Sequence, residues 1–122
     1  MTRARALLLD VVLVLVFAAI GRRSHDESGA LVGVLVTAWP FLVGLLVGWV
    51  ATLALRRAPE SVVGGVPVWL GAAWVGMAVR ALSGGGTAWS FLLVATITLG
   101  VLLMVPRLVV AQVRKGRQAP SA

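Results

Sequence analysis

The chain has 122 residues, 60% of them hydrophobic and only 12% charged, with a mean hydropathy of +1.01. That is more apolar surface than a soluble domain of this size can bury, so a membrane-embedded protein is expected and a water-soluble one is not. The absence of cysteine removes disulfides, thiolate metal sites and cysteine nucleophiles together, and the net charge of +7 sits where hydrophobic runs end, as topology signals do, which argues against a nucleic-acid surface.

Taken in chain order, the apolar runs predict four transmembrane helices at about 5–21, 30–55, 62–80 and 87–106, within one domain covering residues 1–110. The first run, Ala6 to Ile20, is short and is interrupted by Asp10 near its start. Arg3 and Arg5, that run and Ala19-Ile20-Gly21 also have the outline of a cleavable leader. Asp10 inside the run and Arg22-Arg23 directly after it argue for a retained helix. The second run, Ala30 to Leu55, is long enough to cross with tilt. Its Pro40 is tolerated as a first-turn residue. The third lies between Glu60 and Arg80, with Pro67 near its start, and the fourth runs from Thr87 to Val105 and stops before Pro106 and Arg107. Residues 111–122 read as a short basic tail without fixed structure.

The charges set the direction. Arg3, Arg5, Arg56, Arg57, Arg107, Arg114, Lys115 and Arg117 fall on one side, and Arg22, Arg23 and Arg80 on the other, which divides the eleven basic residues eight to three. The richer side is cytoplasmic by the positive-inside rule, so both termini are expected inside the cell.

A phrase recurs across the halves: TAWPFLV from Thr37 and TAWSFLL from Thr87. Both copies fall at the outer start of the second helix of a hairpin. The expected architecture is therefore all-α, with two hairpins as parallel repeats about an axis along the membrane normal. The small-residue pairs Gly29/Gly33, Gly44/Gly48 and Ala72/Gly76 have the spacing that lets helix backbones approach closely, within a tight bundle or through a homodimer built on helix two.

Candidate functional residues are few. Asp10 is the one acid inside a span, and it pairs with Arg3, Arg5 or an inner-loop arginine, or else serves as a proton or cation site. Arg22, Arg23 and His25 form a polar outer cluster with Asp26 and Glu27. The single His lacks metal-ligand spacing, so no metal is expected. Arg80, the glycines after it and Thr87 make either an anion-binding turn or a plain interhelix connection. Trp39 places an amphipathic ring at headgroup depth. Thr96 and Thr98 are expected to bond back to their own helix.

The strings DVVLVLVFAAIGRRSH, TAWPFLVGLLVGW and GMAVRALSGGGTAWSF together resemble a bacterial and archaeal family of small four-helix membrane proteins of unknown function. The resemblance covers Ala6 to Arg107, through Asp10, Gly21-Arg22, Trp39-Pro40-Phe41, Trp69, Gly76, Arg80 and the Gly-Thr-Ala stretch. It implies an integral membrane protein and leaves activity, ligand and cofactor open. With no Ser-His-Asp set, paired carboxylates or metal cluster available to supply acid, base or nucleophile, the chain is not expected to be an enzyme. The expected role is a non-catalytic, multi-pass component of the cell membrane that touches lipid, a partner protein or further copies of itself. The alternative is a small homo-oligomeric transporter or channel.

Overall fold

The computed structural model describes residues 2–21, 30–85 and 88–118. Four helices carry the chain: α1 (Arg3–Gly21), α2 (Ala30–Ala54), α3 (Val62–Leu82) and α4 (Trp89–Gln118). Each is long and apolar enough to cross a membrane, and no strand occurs among the described residues. At 1.5 Å per residue, α1 reaches about 28 Å, close to the ~30 Å hydrocarbon thickness, whereas α4 reaches about 45 Å and projects beyond it.

The helices form a ring in which α1 packs on α2, α2 on α3, α3 on α4 and α4 back on α1. Neighbours run antiparallel. The first turns of α1, the α2–α3 connection and the last third of α4 meet at one end, the terminal end, where Arg3 bonds Glu60 and Asp10 bonds Arg107. Gly21, Thr37, Arg80 and Phe91 meet at the other. Apolar side chains from all four helices fill the axis, among them Val14, Phe17, Phe41, Leu45, Val68, Leu99 and Leu103. The outward faces are equally apolar, with Leu8, Leu46, Val50, Val94 and Ile97 exposed. That is what a bundle needs when its solvent is lipid.

The closest seam lies between α2 and α3. A Cβ added to Gly48 would stand 2.8 Å from the Pro67 carbonyl oxygen and 2.8 Å from Val68 Cα, and one added to Gly71 would stand 2.8 Å from Gly48 Cα. Gly44 faces the backbone of Gly71 and Gly76 in the same way, and Phe41 lies over Gly76. The helix-two pair Gly44/Gly48 is therefore occupied inside the monomer by α3, with Ala72 fully buried beside it. That pair is covered within a single chain and not exposed to a second copy. Gly33 is half-buried, and Gly29 lies outside the described residues. Thr52 adds a polar stitch, its hydroxyl lying 2.9 Å from the Gly48 carbonyl and 3.1 Å from that of Gly64.

α3 is not one continuous α-helix. Gly71–Val75 form a π turn, closed by the Gly76 N–H bonding back five residues to the Gly71 carbonyl. On an α-helix, residues five apart stand ~140° from each other. The wider turn brings Trp69 and Trp74 to one side, where both indole N–H groups donate to Thr96 of α4, to its carbonyl at 2.7 Å and to its hydroxyl at 3.2 Å. Thr96 in turn donates to the Leu92 carbonyl at 2.7 Å, the back-bonding expected of it.

Two proline expectations are corrected. Pro40 is not in a first turn, because α2 begins at Ala30 and Pro40 lies ten residues inside it. Pro106 does not end the fourth helix, since α4 runs through it to Gln118, so the segment 111–118 is helical where a structureless tail was expected. Proline removes one backbone donor, and in both helices tight packing on neighbouring helices holds the chain helical across the gap. One residue on, the Arg107 guanidinium also bonds the helix backbone, Nη1 donating to the Leu103 carbonyl at 2.8 Å.

Candidate functional site

Two polar places interrupt the apolar bundle, one near each end. At the terminal end, Asp10 on the second turn of α1 is 2% exposed and Arg107 on α4 is 2% exposed. Arg107 Nη1 donates to Asp10 Oδ1 at 2.8 Å and Nη2 to Oδ2 at 2.7 Å, a two-pronged pair that matches the planar guanidinium to the carboxylate. Trp49 of α2 donates its indole N–H to Asp10 Oδ2 at 2.9 Å. Arg107 Nε donates to the Pro59 carbonyl at 2.9 Å. Four segments are thus tied by one cluster.

Local sequence makes the room. Ser61 caps α3, its Oγ accepting from the Gly64 N–H at 2.9 Å while donating to the Ala58 carbonyl at 2.6 Å, and this folds the α2–α3 connection so that the Pro59 carbonyl points at Arg107. Gly65 is the floor, since a Cβ there would stand 2.7 Å from Arg107 Nε. Every buried side-chain nitrogen and oxygen among the described residues has a partner. A buried charge pair in which every nitrogen and oxygen has a partner fixes register, and Asp10 accepts three hydrogen bonds within it.

This corrects the sequence reading of Asp10 in its partner. Arg3 bonds Glu60 at 3.3 Å on the surface, and Asp10 takes Arg107. Arg107, one of the eight basic residues on the richer side, is buried in the bundle instead of flanking it. Without it the sequence count is seven basic residues against three. Trp49 and Arg107 were missed as site residues. The available signal is depth: an acid two turns inside one span calls for a cation a similar distance along another, and Arg107 is masked by Pro106, which by pattern alone marks a helix end.

At the opposite end, Arg80, Trp39, Thr37, Ser83, Gly85 and Phe91 border a cleft of about 420 Å³. The Arg80 guanidinium carbon lies 4.5 Å above the centre of the Phe91 ring. Phe91 belongs to a three-ring cluster with Phe17 and Phe41, at centroid separations of 5.1 to 6.4 Å. The two phenylalanines of the repeated phrase, Phe41 and Phe91, thus meet across the bundle. Of the sequence candidates, Trp39 and Arg80 come together here and Asp10 stands apart at the other end. Arg22, Arg23, His25 and Thr87 lie outside the described residues. No three of His, Cys, Asp and Glu gather among the described residues.

A ring of four helices, each long and apolar enough to cross a membrane, apolar inside and out and tied by a buried ion pair, has the build of a multi-pass membrane protein. The chain belongs to the family described as a protein of unknown function (DUF3054), which it matches over residues 7–110. No curated protein and no solved structure matches it.

Proposed function

We propose that this protein is a non-catalytic component of the cell membrane, with both termini in the cytoplasm, that acts by binding lipid or a membrane partner through its surface. The observation that carries this reading is the filling of the bundle axis at two levels. The phenylalanine cluster occupies it toward one end and the Asp10–Arg107–Trp49 cluster toward the other. A conducting path needs polar groups that exchange partners along the axis, and here they are committed. Against catalysis stands the engagement of both described carboxylates, Asp10 and Glu60, by arginine.

The reading is tested in vesicles. Purified protein reconstituted into liposomes carrying a trapped pH dye should dissipate an imposed proton or potassium gradient no faster than empty vesicles do. A leak abolished by Asp10→Asn would replace this reading with proton-coupled transport. Orientation is tested by fusing reporters after Ala122, where a cytoplasm-dependent enzyme should be active and a periplasm-dependent one silent.

A further inference from the structure

The cleft at the end opposite the termini has a different construction from the rest of the molecule. Its walls carry the hydroxyls of Thr37 and Ser83 and the indole of Trp39, around a half-buried guanidinium. Arg80 is held from two directions. Its guanidinium rests on the Phe91 ring, and the Gly85 backbone presses against its stem, so that a Cβ at Gly85 would stand 2.5 Å from Arg80 Cγ and 3.1 Å from Nε. The turn that brings Gly85 there is closed by the Gly85 N–H bonding the Arg80 carbonyl at 2.8 Å, with the Ser83 hydroxyl donating to the same oxygen at 3.0 Å. An arginine immobilised in this way loses little freedom on meeting a ligand, and its planar fork suits two oxygens of one anionic group.

We propose that this cleft binds a phosphate-type oxyanion, with Arg80 as the binding residue and Gly85 and Phe91 positioning it. The assignment rests on the surface-binding reading above and gives that surface a ligand class. The terminal end is the weaker candidate. Arg107 is committed to Asp10, and Arg114 and Lys115 stand exposed, with no aromatic ring against either among the described residues.

The oxyanion can arrive free in water or as the headgroup of an anionic phospholipid, and the experiment separates the two. Thermal unfolding of the full chain in a non-ionic detergent is followed while titrating inorganic phosphate in one series and short-chain phosphatidylglycerol in another, with short-chain phosphatidylcholine as the reference. Wild type should show a saturable upward shift in at least one series. Arg80→Ala should weaken the half-saturation at least about tenfold, and Arg80→Lys should recover part of it. Gly85→Ala, which displaces the arginine without removing it, should weaken binding too, whereas Arg114→Ala/Lys115→Ala should leave it unchanged. A response to phosphate alone identifies a soluble ligand, and one to phosphatidylglycerol only identifies a lipid; either supports the site. A saturable lipid response that survives both Arg80→Ala and Gly85→Ala would overturn this site while leaving lipid binding elsewhere on the bundle intact. No saturable response in wild type would overturn the site and leave the exposed apolar faces of the bundle as the surface on which the functional reading rests.

Discussion

At the scale of single residues, the ion pair between Asp10 and Arg107 dominates. Two charges taken out of water need their mutual attraction and their hydrogen bonds to offset desolvation, and removing one partner leaves the other stranded. Arg107→Leu should therefore destabilise the bundle by about 3–5 kcal/mol, whereas Asp10→Leu/Arg107→Leu should return to within about 2 kcal/mol of wild type or exceed it. Reversible unfolding in mixed micelles measures both. A double variant as unstable as the single would mean that the pair does more than balance its own charges. Trp49→Phe removes one of the three donors to Asp10 and should cost about 1–2 kcal/mol in the same assay. The sequence disclosed Asp10 by its charge but hid its partner. Arg107 beside a proline at the end of an apolar run is indistinguishable, by pattern alone, from a flanking topology charge.

At the scale of elements, α3 sets the fit of its neighbours. It is the most enclosed span, with 44% of its apolar window buried against 22% for α4. Its π turn carries one residue more than an α-helix needs between Trp69 and Trp74, and deleting Ala73 should convert the turn to α-helix while keeping the two indoles four apart on one face. Deleting Ala78, beyond the turn, rotates the following residues by ~100° and takes Arg80 away from Phe91. The first deletion should fold and the second should not, as read by helical circular dichroism and monodispersity in detergent. If the two fail alike, the turn is not a tolerated insertion. Gly48→Ala probes the seam it packs against, where the obstructing atoms are backbone and cannot swing aside; a loss of about 1–3 kcal/mol is expected. Small-residue spacing announced that seam. The π turn was not legible, because glycine and alanine runs suit a continuous helix equally well, and helix continuation through Pro40 and Pro106 depends on neighbours that a single strand of sequence does not display.

At the scale of the whole molecule, hydropathy alone marks the four helices long and apolar enough to cross a membrane, and the ring order follows from antiparallel neighbours joined by short connections. What hydropathy does not contain is whether the axis is open or filled. That depends on which faces of uniformly apolar helices turn inward, and here Ala95, Leu99 and Leu103 of α4 do so at four-residue spacing and are fully buried. The closed axis is the central claim, and the absence of cysteine makes it directly measurable. Single cysteines placed from Ser90 to Leu103 and treated in intact cells with a water-soluble thiol reagent should react only in the first turn of α4. Labelling that recurs every three to four positions through Ala95, Leu99 and Leu103 would reveal water along the axis and contradict the account.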